Sequence, residues 1–163
     1  MYLLDTGMLL DLREARRAGS EQALAAWAER TSAQQMFLSA LTLLELENAA
    51  AVAARRGKDA GLAWRDWLDR QVSPAFDGRI LPVDAAVVRR RAQIPYADDR
   101  EGILAATALV NNLTLVTSEP RTYRAGRVKV LDPARFEPDS DSDADWREAT
   151  RSGAAWLRNL LIR

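Results

Sequence analysis

The sequence contains neither cysteine nor histidine. Without cysteine there is no disulfide, thiolate nucleophile, Cys-based zinc site or iron–sulfur cluster. Without histidine there is no Ser-His-Asp chemistry, imidazole base or His-ligated zinc. Any acid–base or metal chemistry must therefore rest on carboxylates. Long apolar runs are missing as well: no stretch approaches the ~18 residues of a membrane span. The opening Met1-Tyr2-Leu3-Leu4-Asp5 has no basic segment and meets an acid at once, unlike a secretory signal. The expectation is a soluble, cytoplasmic protein. An excess of one charge is also absent, with 23 Lys+Arg against 23 Asp+Glu. That excludes a globally basic nucleic-acid binder but not a local basic patch. Neither a Gly-x-x-x-x-Gly-Lys-Ser/Thr loop nor a Gly-x-Gly-x-x-Gly turn after the first apolar run occurs, and residue 7 is Gly rather than the second acid of an Asp-x-Asp phosphatase motif.

What is present fits one domain with a sizeable core: 163 residues, 48% hydrophobic and 28% charged. Tyr2-Leu3-Leu4 reads as a buried strand, ending in Asp5-Thr6-Gly7 before a helix from about Met8. Ser20 resembles a helix cap, with Leu24, Trp27 and Ala28 on an apolar face. Met36–Ala40 is a second strand, and the breaker-free run Leu41–Arg56 a helix. A helix with Leu62, Trp64, Trp67 and Leu68 should stop before Pro74. Arg79–Val83 is a third strand whose proline favours an edge or an end. Asp84 caps a helix to about Arg91, Glu101–Val110 is a small-residue helix, and Leu113–Thr117 and Val128–Leu131 are strands. Alternating strands and helices predict a three-layer α/β/α sandwich with a mostly parallel sheet. The domain is expected to span residues 1–136. Residues 137–163 read as an acidic linker, Asp139 to Asp145, and a C-terminal amphipathic helix carrying Trp146, Trp156, Leu157, Leu160 and Leu161.

In an open parallel sheet, ligands bind at the carboxyl ends of the strands. Four acids stand near such ends: Asp5, Glu45, Glu101 and Glu119. Clustered carboxylates repel one another unless cations intervene, and hard oxygen ligands suit Mg²⁺ or Mn²⁺. Each acid also has a plainer reading. Asp5 suits an Asx turn or cap, Glu45 and Glu47 a solvated helix face, Glu101 a helix N-terminus, and Glu119 a loop. Arg89-Arg90-Arg91 reads as a solvated face, and Trp27, Trp64 and Trp67 as core or interface.

Five segments in order add to this reading: Met1-Tyr2-Leu3-Leu4-Asp5-Thr6, Leu38–Glu47, Gly78–Asp84, Ile103–Leu109 and Leu113–Thr117. Over about residues 1–136 the chain resembles a PIN-domain ribonuclease, specifically the VapC-type toxins of bacterial toxin–antitoxin modules. The resemblance implies Mg²⁺- or Mn²⁺-dependent endonucleolytic cleavage of RNA, a homodimer, and inhibition by a cognate antitoxin protein. It implies Asp5, Glu45, Glu101 and Glu119 as the catalytic acids, with Asp5 and Glu101 as metal ligands and Thr6 and Thr117 in support. Asp99, then Asp98, are the substitutes for the third acid. The chain departs from the family pattern with Gly7 in place of Asn, and with Glu at the third and fourth acidic positions. Mg²⁺ tolerates little distortion of its shell, so the alternative is a catalytically weakened PIN-like domain that binds RNA or protein.

Overall fold

The computed structural model describes residues 1–18, 27, 28 and 30–135. Strand β1 (Tyr2–Leu4) is central, and its two leucines show how the layers form. Successive side chains of a strand point to opposite faces, so Leu3 and Leu4, both fully buried, enter two different cores. Helix α1 (Thr6–Ala18) follows directly. Then come β2 (Met36–Ser39), α2 (Ala40–Arg56) and α3 (Lys58–Trp67). The second half holds β3 (Ile80–Leu81), α4 (Ala85–Arg91), α5 (Asp99–Val110), β4 (Thr114–Val116) and β5 (Val130–Leu131).

The five strands lie in the order β3-β2-β1-β4-β5, and every pairing is parallel. On one face Leu4, Met36, Leu38 and Val116 pack with Met8, Leu9 and Leu12 of α1, Leu46 and Ala50 of α2, and Trp67. On the other, Leu3 and Leu115 pack with Val87 of α4, Leu104, Ala105 and Ala108 of α5, and Tyr123. The α/β/α sandwich read from the alternation is therefore the observed one, with a fully parallel sheet. Trp27 and Trp67 are core residues, as expected.

Three local expectations change. The helix from Lys58 does not stop before Pro74. It widens into a π turn at Leu68–Val72 and restarts at Ser73–Ala75, so the proline falls in a first turn where its missing N–H is harmless. Helix α5 starts at Asp99, two residues before the predicted Glu101, because Asp98 caps it: its Oδ1 accepts from the amides of Arg100 (2.8 Å) and Glu101 (3.1 Å). Arg91 is not on a solvated face. Its guanidinium donates to the carbonyls of Ile94 (3.3 Å) and Tyr96 (2.9 Å) and pairs with Asp99 at 2.9 Å. Gly102 makes room for it, since a Cβ there would sit 2.1 Å from Arg91 Nε. The Ser20 cap and the reading of residues 137–163 lie outside the described residues.

Helices α2 and α3 form an antiparallel hairpin hinged at Gly57, and they touch closely at Gly61. A Cβ on Gly61 would lie 2.7 Å from the Ala54 Cα, a backbone atom that cannot rotate away. Gly61→Val should therefore destabilise the protein by about 1–3 kcal/mol in urea unfolding, as overpacked sites do. An unchanged urea midpoint would show that the hairpin opens freely.

Candidate active site

In this strand order the chain winds outward from β1 through β2 to β3, then crosses to the other side of β1 for β4 and β5. The carboxyl ends of β1 and β4 thus flank the topological switch point, where the diverging loops leave a crevice. A cleft opens there. Asp5 and Thr6 line it after β1, Thr117 and Glu119 after β4, and Arg100 and Glu101 from the first turn of α5.

Asp5 holds this cleft together. It is 8% exposed, and its amide donates to the Val116 carbonyl at 3.1 Å, extending the β1–β4 ladder by one residue. Its Oδ1 accepts the Met8 amide at 2.6 Å, so the residue caps α1. The cap reading and the site reading are both met by one side chain. Burial pushes the Asp5 carboxyl above its ordinary value, and nearby Asp11 and Glu119 add to the effect, while bonds from Thr117 and Met8 partly offset it. Thr117 supports the acids on two sides, because its Oγ1 also accepts the Glu119 amide at 3.0 Å.

Glu45, one turn into α2, does not line the cleft itself. One carboxylate oxygen accepts the Thr6 hydroxyl and the other pairs with Arg100 Nε. It is thereby tied to both the β1 and the α5 walls. The structure thus brings Asp5, Glu101 and Glu119 to one cleft, with Glu45 behind Thr6 and Arg100. Among the described residues no three acids form a ready-made metal-binding group. Asp98 and Asp99 are occupied elsewhere, the first as the α5 cap and the second with Arg91. Gly7 lines the opening, and a Cβ there would meet Asp5 Oδ1 at an ordinary 3.5 Å. Glycine at this position opens the cleft and relieves no backbone strain.

The geometry also includes Tyr123, which the sequence reading missed. It is 5% exposed and lines the cleft. Its phenol is held well above the usual range by burial, then by Asp5 and Glu101. Arg100 was missed as well, for no local pattern announces a partner 55 positions away.

The PIN-domain family model matches residues 2–128. The chain belongs to the PIN-domain family. It is 33% identical over 141 residues to the toxin FitB of Neisseria gonorrhoeae, an alignment covering 82% of this chain and 98% of that protein. A VapC ribonuclease of Sinorhizobium fredii is 27% identical, with 85% and 99% covered. The fold superposes on the crystal structure of FitAcB from Neisseria gonorrhoeae with a TM-score of 0.73 at 28% identity, covering 83% of this chain and all of that one. In this PIN domain the acids stand at the switch point of the sheet.

Because the folded pKa of Asp5 is raised, the stability tied to this group is complete below the unfolded pKa and is lost as pH rises through the folded value. Asp5→Asn should then melt higher than the parent at pH 7. The gain should vanish near pH 3, below the ordinary Asp pKa of about 3.9. A lower melting temperature for the variant at pH 7 would mean that Asp5 stabilises the fold as an anion.

Proposed function

We propose that the chain is a metal-dependent endoribonuclease and the toxin of a type II toxin–antitoxin module. The observation that carries this is the buried Asp5 facing Glu119 and Glu101 in one cleft at the switch point. An uncompensated carboxylate whose pKa is raised by burial and by neighbouring acids is a place where a cation is favoured. Oxygen donors without sulfur or imidazole suit a hard ion, Mg²⁺ or Mn²⁺.

Asp5 and Glu101 are the residues that would hold it, with Thr117 fixing Asp5 from the β4 side. A divalent ion bound there supplies Lewis acidity toward a phosphodiester oxygen and lowers the pKa of water. Glu119 orients the attacking water and takes its proton. One P–O bond forms to the water oxygen and one breaks, and the departing oxygen is protonated from solvent. Glu45 keeps the Thr6 and Arg100 walls in register. RNA as the substrate follows the VapC ribonuclease relative and the antitoxin partner a structural neighbour that is a toxin–antitoxin complex, while the homodimer and the cytoplasmic setting follow from the family resemblance. Leu44, Val52 and Leu62, exposed on α2 and α3, offer apolar surface for such associations. No helix among the described residues is long and apolar enough to cross a membrane.

The engagement of Glu45 by Thr6 and Arg100 favours one second reading, a catalytically weakened PIN domain that acts by binding. Purified protein incubated with RNA separates the two. The first reading expects cleavage with Mg²⁺ or Mn²⁺, none in EDTA, and a loss of at least about 100-fold in Asp5→Asn, which keeps the shape but removes the charge. Cleavage by Asp5→Asn at the parent rate would remove Asp5 from the chemistry. No cleavage by the parent with either metal leaves the binding reading.

A further inference from the structure

The cleft that presents Asp5, Glu101 and Glu119 must admit a polyanion, and carboxylates alone repel one. Arg100 is the one cation among its lining residues. Its Nε is engaged by Glu45, while both terminal amino groups have no protein partner among the described residues. The side chain remains 61% exposed. The guanidinium is thus held at one corner and open at the other, a preorganised fork for phosphate oxygens.

Beside it stands Tyr123. Its ring is fixed against Tyr96, with centroids 6.2 Å apart, and its backbone carbonyl accepts the Tyr96 hydroxyl at 2.8 Å. The Tyr96 hydroxyl is consumed by the fold, since it also accepts the Gly126 amide at 3.2 Å. The Tyr123 hydroxyl has no such partner among the described residues, although the residue is 5% exposed and lines the cleft. The ring is buried while the hydroxyl is left open to the cleft, where a phosphate oxygen can accept from it. A phenol is a neutral donor, suited to a cleft lined by acids.

We propose that Arg100 and Tyr123 form a phosphate-binding subsite on the α5 side of the cleft, gripping the backbone of a single-stranded RNA next to the Asp5 carboxylate. Glu45 is then a positioning residue that aims the guanidinium. The inference rests on the reading of RNA as the substrate, but not on cleavage.

The test is binding of a labelled single-stranded oligoribonucleotide to the full chain carrying Asp5→Asn, by fluorescence anisotropy with Mg²⁺ at several salt concentrations. Adding Arg100→Gln should weaken binding about tenfold and reduce the slope of log K against log salt by about 0.7, one phosphate contact. Adding Tyr123→Phe should weaken it about threefold to tenfold with the slope unchanged. Arg100→Lys should restore the slope, which a merely structural arginine would not require. Glu45→Gln separates the roles: a less firmly aimed guanidinium should weaken binding by less than Arg100→Gln does and leave the slope unchanged, whereas an arginine that acts only by holding Glu45 would make the two losses equal. Either Arg100→Gln or Tyr123→Phe binding like the parent overturns the subsite, as does no binding by the parent. A gel of the chain with Asp5 intact, run in parallel, reports cleavage separately. Binding that follows this pattern without cleavage keeps the subsite and removes the nuclease reading. Cleavage with Arg100→Gln and Tyr123→Phe behaving like the parent removes the subsite alone.

Discussion

The structure depends on one buried negative charge at the end of the central strand. Asp5 continues the β1–β4 hydrogen bonding, starts α1, and faces a second acid across the switch point. Those tasks conflict energetically. The cap and the ladder require the side chain to be buried, while burial without a counter-ion disfavours its anion. Hydrogen bonds from Met8 and Thr117 reduce the cost without removing it. Functional sites commonly retain such locally unfavourable arrangements, which the rest of the fold must stabilise.

The opposing wall is held by a different device. Helix α5 brings Arg100 and Glu101 to the cleft, and its first turn is fixed three ways: by the Asp98 cap, by the Arg91–Asp99 pair, and by the passage of Arg91 across Gly102. The Arg100–Glu45 pair then ties this wall to α2 on the other side of the sheet. An exposed ion pair contributes little to stability. Its consequence here is geometric, because it fixes the direction in which the guanidinium presents its remaining donors.

Much of this was legible in the sequence where short-range physics decides. The apolar run Tyr2-Leu3-Leu4, the breaker-free stretch before Gly57 and the capping Asp84 each specify their element locally, and the strand–helix alternation specifies the layers. Asp5, Glu101 and Glu119 could be placed near the strand ends because a parallel sheet gathers those ends on one edge. What the sequence did not reveal depends on side chains that meet only after folding. Arg91 reads as one of three similar arginines until Gly102 is seen to leave space for it. Glu45 reads as one of four similar acids until Thr6 and Arg100 are seen to engage both of its oxygens. Tyr123 carries no signal at all outside the cleft that it lines.

The central claim is that the cleft at the β1–β4 switch point holds a divalent cation through Asp5. Its most direct test is Mn²⁺ binding to the full chain, followed by the electron paramagnetic resonance signal of the free ion and needing no substrate. The account predicts saturable binding that Asp5→Asn abolishes and Glu101→Gln weakens. Equal Mn²⁺ binding by Asp5→Asn and the parent, or none by the parent, would contradict it.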